Sequence, residues 1–411
     1  MRNTISIILF SFIYFGIFAQ NDSLKETRDY CFIIQDSPAN LFTMRQFNQN
    51  YISGYRLFSK GLYAAFKDHK RVADLIQIGL EIFFMPLTHE EGHRSILTAN
   101  KIGSVSQPYF NKYGAAYVKG VTDQTLQSLR DNNLPTYVRL HTGGLESDYM
   151  LTKRMEAIGS FEQDDFKKYR FEYYTRKFAL FQYYLVGLFK YEIDLKEESN
   201  ELDRDIVGFD TYGAARHLYR PNMEFYRYTK YADLTSDERK FVNRLGYRSL
   251  LNLLNPLILG IGNFRLTENT RINVGMGYTM SPFGDFIDEN VWLKHKTLNV
   301  GLYVRQFQNR ENWFNGFGIS LNDFKPFEKL STSISGHYWQ QPVNFDFNID
   351  KSFTGGAVDM DIKYFFLNKR NVGLKGFSID LGVIYKTKGY LPEEMYLEAH
   401  FGLRMGTTIR L

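Results

Sequence analysis

The chain has 411 residues, 44% of them apolar and 23% charged, with a net charge of +5 from 50 basic and 45 acidic side chains. These proportions exclude intrinsic disorder and a polytopic helical membrane protein as default readings, and with no long basic run nucleic acid is not an expected partner. Aromatics reach 17%, a load that β-sheets and membrane interfaces consume, and the single cysteine, Cys31, excludes both an intramolecular disulfide and a cysteine-ligated zinc cage.

The N-terminus reads as an export signal over residues 1–19. Arg2 supplies the positive end and Ile5 to Phe18 the apolar stretch. Ala19-Gln20 before Asn21-Asp22 offers a small-residue cleavage point. The stretch is shorter than a bilayer span needs, so the mature chain is expected to start near Gln20, outside the cytoplasm.

Residues 20–264 are expected to form a mainly helical domain, with the helical pattern clearest from about Tyr51. Arg71 to Ala99 is one long apolar-rich segment. Phe178 to Phe189 and Ser249 to Ile261 suit buried helices better than full membrane spans, and Lys196 to Asp205 reads as a surface linker.

From 265 to 411 the period changes to two. Ile272, Val274, Met276 and Tyr278 alternate with polar or glycine residues, as do Leu298 to Val304, Leu330 to Tyr338, Val358 to Tyr364 and Met395 to Met405. Shorter runs at 317–321, 343–349 and 377–383 bring the total to about eight strands, separated by turns such as Leu367 to Asn371. The opposite face carries Gly, Asn, Ser, Asp and Arg in nearly every strand. The expected class is therefore α+β: a helical domain followed by an antiparallel barrel of about eight strands. Export, aromatic load and this alternation resemble an outer-membrane β-barrel, which implies a lipid bilayer as partner. The chain ends Ile409-Arg410-Leu411, without the terminal aromatic of many such barrels.

One motif carries chemistry. Thr88 to His93 contains His89-Glu90-Glu91-Gly92-His93, a His-Glu-x-x-His pattern. On a helix the two imidazoles lie one turn apart and can hold one Zn²⁺, with Glu90 placed as general base toward an activated water. Pro86 either starts a new helix here, with Thr88 and Glu91 as a capping box, or kinks a longer one from Arg71. Gly103 is placed to stop it.

These residues resemble the zincin metallopeptidases, and Gly92 in the pattern is common among them. The resemblance covers this helix and a following edge strand, Tyr113 to Lys119, along which a peptide substrate would lie. It implies a peptide or protein substrate and a third metal ligand from a downstream helix. Glu146 is the first choice, two residues after Gly143-Gly144. Asp148 and His141 are alternatives in the same segment, Asp205 and Asp210 further on. Glu146 could equally be a carboxylate at a helix N-terminus, complementing the dipole. His217 is a candidate oxyanion donor, weighed against an ordinary helix-surface histidine. The leading expectation is an exported zinc peptidase anchored in the outer membrane by its barrel. Its alternatives are a non-enzymatic outer-membrane barrel with a helical plug or periplasmic domain, and a soluble secreted two-domain protein.

Overall fold

A computed structural model describes residues 27–37, 42–110, 116–192, 197–367 and 374–411. The expected signal at 1–19 lies outside the described residues, as do parts of the expected edge strand and of the turn after Leu367.

The chain enters as strand β1, Asp29–Gln35, and then helix α1, Met44–Ala65. Thr43 caps α1 by accepting the Gln46 amide at 3.1 Å, satisfying one of its free N–H groups. Helix α2, Lys70–Ala99, runs unbroken through Pro86. A two-stranded ribbon follows, β2 (Val105–Gln107) against β3 (Tyr117–Lys119); of the expected edge strand Tyr117–Lys119 is strand, and 113–115 lie outside the described residues. Then come α3 (Asp123–Asn132) and α4 (Leu134–Ser160), the latter capped by Asn133 with Pro135 in its first turn. Helices α5 (Arg170–Leu188), α6 (Asp210–Tyr219) and α7 (Ser236–Ser249) complete the helical part. The stretch 249–261, expected as helix, is instead two 3₁₀ turns at Leu250–Leu253 and Pro256–Leu259. Pro256 cannot donate its amide to a continuing helix, which forces the interruption.

The rest is one antiparallel sheet. After the two-residue β4 (Phe264–Arg265) come β5 (Thr270–Ser281), β6 (Gly284–His295), β7 (Leu298–Gln308) and β8 (Trp313–Phe327). Strands β9 (Leu330–Pro342), β10 (Ser352–Leu367), β11 (Gly376–Lys386) and β12 (His400–Arg410) follow. Each of these pairs with its sequence neighbour, and β1 adds to β12, giving the order β1-β12-β11-β10-β9-β8-β7-β6-β5-β4.

Eight long strands stand where about eight were expected, with one exchange. Segment 343–349 is not a strand: Asn344 and Phe345 have φ of 55° and 56°, and Phe345 and Phe347 turn into the core. In its place β6 is one, hidden in the sequence because Asp288 and Asn290 point inward while Glu289 points outward. Residues 395–399 form a loop before β12, and Met395 and Leu397 are buried there.

The expected alternation holds across the sheet. Leu302, Val304, Phe317, Ile319, Leu381 and Leu403 project outward and are exposed, while Asn273, Asp288, Arg305 and Arg404 face inward and are buried. The inward polar groups are paired: Arg305 grips Asp288 at 2.6 and 2.7 Å, and the Tyr149 hydroxyl of α4 donates to the same carboxylate at 2.5 Å. Among the described residues no strand pairing joins β1 to β4. The C-terminal end of α4 bridges that seam. Arg28 beside β1 donates to the Gln163 carbonyl at 3.2 Å, and Asn263 and Asn273 on the other edge donate to the Ser160 carbonyl and hydroxyl at 3.1 and 2.8 Å. A cavity of about 700 Å³ lies between the sheet's inner face and helices α1 and α4.

Candidate metal centre

The motif occupies the second half of α2, whose residues His89 to His93 are all buried. Of the two geometries open to Pro86, the longer helix is the one present, and Glu91 pairs with Arg94 rather than capping at Thr88. Helix α4 crosses α2 at very short range. A Cβ on Gly92 would stand 2.3 Å from the Gly143 carbonyl oxygen, and a Cβ on Gly144 would stand 2.3 Å from His89 Nε2. Only glycine lets the two helices approach so closely, so Gly92 and Gly143-Gly144 are packing partners. The two glycines lie inside α4, and Glu146 is therefore well past its N-terminus, where no dipole role exists.

His89 and His93 lie one turn apart with ring centroids 5.0 Å apart. The third member of the group is Asp210, in the first turn of α6. Its Oδ2 lies 3.2 Å from His89 Nε2 and 3.5 Å from His93 Nε2, and one donor atom from each residue falls within 4.8 Å of the others. Asp210 Oδ2 is buried without a hydrogen-bond partner. A buried carboxylate oxygen held beside two imidazole nitrogens is a donor set that fits a divalent ion such as zinc.

The other ring nitrogens are spoken for. His89 Nδ1 contacts Asp148 Oδ2 at 2.8 Å and His93 Nδ1 contacts the Leu140 carbonyl at 2.6 Å. Both contacts turn Nε2 toward Asp210, the outer-shell arrangement that orients metal-binding histidines. His89 also stacks on Tyr183 of α5 at 4.9 Å. Burial opposes charge on His89, yet Asp148 and Asp210 outweigh it and raise its pKa. Burial opposes charge on Asp210 as well, but His93 and His89 hold its carboxyl well below the usual range. Glu90 follows burial: its carboxyl is pushed up to about 7, with His89 and His93 pulling the other way.

The sequence-derived candidates fall into three places. His89, His93 and Asp210 converge. Asp148 stands behind His89 as its hydrogen-bond partner. Glu146, the favoured third ligand, lies elsewhere: it forms a two-pronged pair with Arg139 at 2.6 and 3.0 Å and accepts the Glu393 amide at 2.7 Å. Asp205 is outside the group, its carboxyl pushed well up by burial and by Glu90. His141 and His217 form their own buried pair with centroids 5.4 Å apart and Tyr137 against both rings. Burial pushes His141 down to about 3 and His217 well below its ordinary value. His217 is thus fully buried on α6, not on a helix surface.

Sequence reasoning missed the Leu140 carbonyl and Arg176, which donates to Asp148 Oδ1 at 2.9 Å behind His89. A backbone carbonyl leaves no signal in a sequence, and Arg176 sits in α5 amid residues that read as ordinary helix.

No family model matches the chain, and no curated protein matches it. Among solved structures, it is similar to Acinetobacter baumannii OccAB3 (12% identity, TM-score 0.27) over 36% of its own length and 46% of that chain, so it spans less than half of OccAB3. It is also similar to the NanC porin (11% identity, TM-score 0.26) over 36% of its length and 76% of that chain. A likeness at this level does not establish a shared fold.

Proposed function

We propose that the chain is an exported outer-membrane protein whose curled sheet faces lipid and whose helical part holds a zinc ion and hydrolyses peptide bonds. The carrying observation is the convergence of His89, His93 and Asp210 from two helices, with Glu90 beside them. What supports the membrane half is the sheet's outward face, a band of exposed Val, Leu, Ile and Phe over a charged inner face. In water that arrangement would leave a large apolar surface uncovered; in a bilayer it is the stable one.

When bound, zinc would supply Lewis acidity, activating water and polarising a carbonyl. The protein's own residues do the rest. His89, His93 and Asp210 would hold the ion, Asp148 and the Leu140 carbonyl fix the two rings, and Glu90, next to His89 in the motif, would serve as general base. The resemblance of the motif to zincins supplies the peptide substrate class.

A second reading is favoured by one observation: His89, Glu90, His93 and Asp210 are each at most 6% exposed, and none lines the large cavity. In it the chain is a non-enzymatic barrel protein, its helical part a plug with a structural ion. Metal content and hydrolysis of an unfolded protein such as casein separate the two. The peptidase reading expects one zinc per chain, lost in His89→Ala, and a Glu90→Gln variant that keeps zinc without cleaving. Zinc retained with no hydrolysis by the wild type leaves the structural reading; no zinc at all removes both metal roles.

A further inference from the structure

Helix α2 changes character along its length. Its second half is buried around the motif. Its first half is turned inside out relative to a helix on a water-soluble protein. Val72, Leu75, Ile82 and Phe83 are exposed, Leu75 and Phe83 by 67% and 63%. They fall on one stripe at helical spacing. Besides Ala73 and Pro86, the residues it buries are polar: Gln77 at 0% and Glu81 at 1%. Gln77 donates to Ser59 of α1, and Glu81 is buried in the neighbourhood of Glu172 of α5 and Tyr55 of α1. Ile76, Ile78, Gly79 and Leu80 fill the intermediate positions. In water, burying glutamate and glutamine while exposing leucine and phenylalanine runs against both the hydrophobic effect and the cost of desolvating a carboxylate. In hydrocarbon both signs reverse. The sheet shows the same inversion, charged inward and apolar outward.

Two further features fix the occupant. The exposed residues just before the stripe are Lys67, Asp68, His69, Lys70 and Arg71, a net basic cluster suited to anionic headgroups. Neighbouring elements also expose large apolar residues, Phe58 on α1 and Ile34 on β1, the strand that extends the sheet. Among the described residues Lys70–Ala99 is a helix long and apolar enough to cross a membrane. From Val72 to Pro86 the rise is about 20 Å, more than the roughly 15 Å of hydrocarbon in one leaflet.

We infer that the first half of α2 lies against lipid acyl chains of one leaflet, with Lys67 to Arg71 at the headgroups. The helical part is then a second lipid-contacting surface beside the sheet, and the metal-binding half of α2 begins where the lipid-facing half ends. This rests on the membrane half of the proposed function and is independent of the metal.

The test uses the full chain with Cys31→Ser, reconstituted in phosphatidylethanolamine–phosphatidylglycerol vesicles. Single cysteines at Leu75→Cys, Phe83→Cys, Leu403→Cys on β12 and Lys240→Cys on α7 are labelled with an environment-sensitive fluorophore. Quenching is read from acyl-chain spin-labelled lipid and from aqueous iodide. The expected result is lipid quenching at 75 and 83 comparable to that at 403, with iodide reaching only 240. Iodide quenching at 75 and 83 while 403 remains lipid-quenched overturns the inference. Shielding of 75 and 83 from both quenchers, with cross-linking between chains, assigns the stripe to a second copy and overturns it equally. Absence of lipid quenching at 403 itself sinks the membrane reading on which it rests.

Discussion

Gly144→Ala is a methyl-sized change that the structure translates into a displaced His89 ring. The new Cβ would stand 2.3 Å from His89 Nε2 and 2.5 Å from each flanking ring carbon. Ordinary contact begins near 3.4 Å, so the ring must retreat by about 1 Å, against a tolerance of roughly 0.2 Å for metal–ligand distances. The ring is not free to swing. Asp148 holds Nδ1 at 2.8 Å, Tyr183 stacks on its face, and Nε2 is the nitrogen facing Asp210 at 3.2 Å. Relief therefore requires giving up either the Asp148 contact or the position of Nε2. Disturbing such an outer-shell contact weakens metal binding about 10- to 100-fold, or ~1.4–2.7 kcal/mol. Zinc affinity is measured by competition with a chromogenic chelator, and the melting temperature of zinc-free protein checks that the fold persists. The matched control is Gly54→Ala in α1, where a Cβ meets nothing within 4 Å and the expected result is unchanged zinc affinity and a gain of about 0.5–1 kcal/mol. Wild-type zinc affinity in folded Gly144→Ala would refute the assignment of His89 Nε2 as a ligand atom.

Asp210→Asn should abolish tight zinc binding with the fold retained, because it removes the anionic donor of the set. Glu146→Gln should do the opposite: zinc is kept, but leaving Arg139 buried without its carboxylate costs about 3–5 kcal/mol, read by urea unfolding. Leu403→Arg on the outer face should destabilise the vesicle-bound protein by up to ~2–4 kcal/mol if it lies at the bilayer midplane; improved solubility without that cost would argue for a water-exposed sheet. Asp164 is nearly buried, and although burial raises its carboxyl, Arg56 and Lys168 outweigh it and hold the folded pKa below the ordinary 3.8. Its contribution is therefore complete above about pH 4 and lost as pH falls through the folded value, so Asp164→Asn should flatten the acid limb of stability measured from pH 5 to 2.

What was legible in the sequence was whatever depends on local periodicity. The alternation of Leu302 and Val304 with Tyr303 and Arg305 fixed the outward face of β7, and the four-residue spacing of His89 and His93 placed both rings on one side of a helix. What was not legible depends on contacts far apart in the chain. As a sequence, Gly143-Gly144 reads as a break before a helix, which puts Glu146 near a helix start. Those glycines are interior residues of α4 that let it cross α2, and the nearest cation to Glu146 is Arg139, on its own helix. Asp210 could not be singled out from Asp205 by spacing. The first turn of α6 brings one to the imidazoles, and the other stops short of them. β1 escaped because its sheet partner, β12, is at the far end of the chain.

The same reasoning explains why α2 is misleading when read alone. Its apolar residues run along both halves, and as a sequence they suggest one buried helix or one span. In the fold they serve two surroundings. Up to Pro86 they face outward over buried Gln77 and Glu81; beyond it, Ile96 and Leu97 face inward with the motif. Arg176 marks the boundary: from α5 it donates to the carbonyls of Phe84 and Met85 just before the proline, and to Glu172 and Asp148. Its guanidinium therefore touches both the helix where its buried and exposed faces exchange and the carboxylate that contacts His89, so one buried side chain ties the outward-facing half to the proposed metal site.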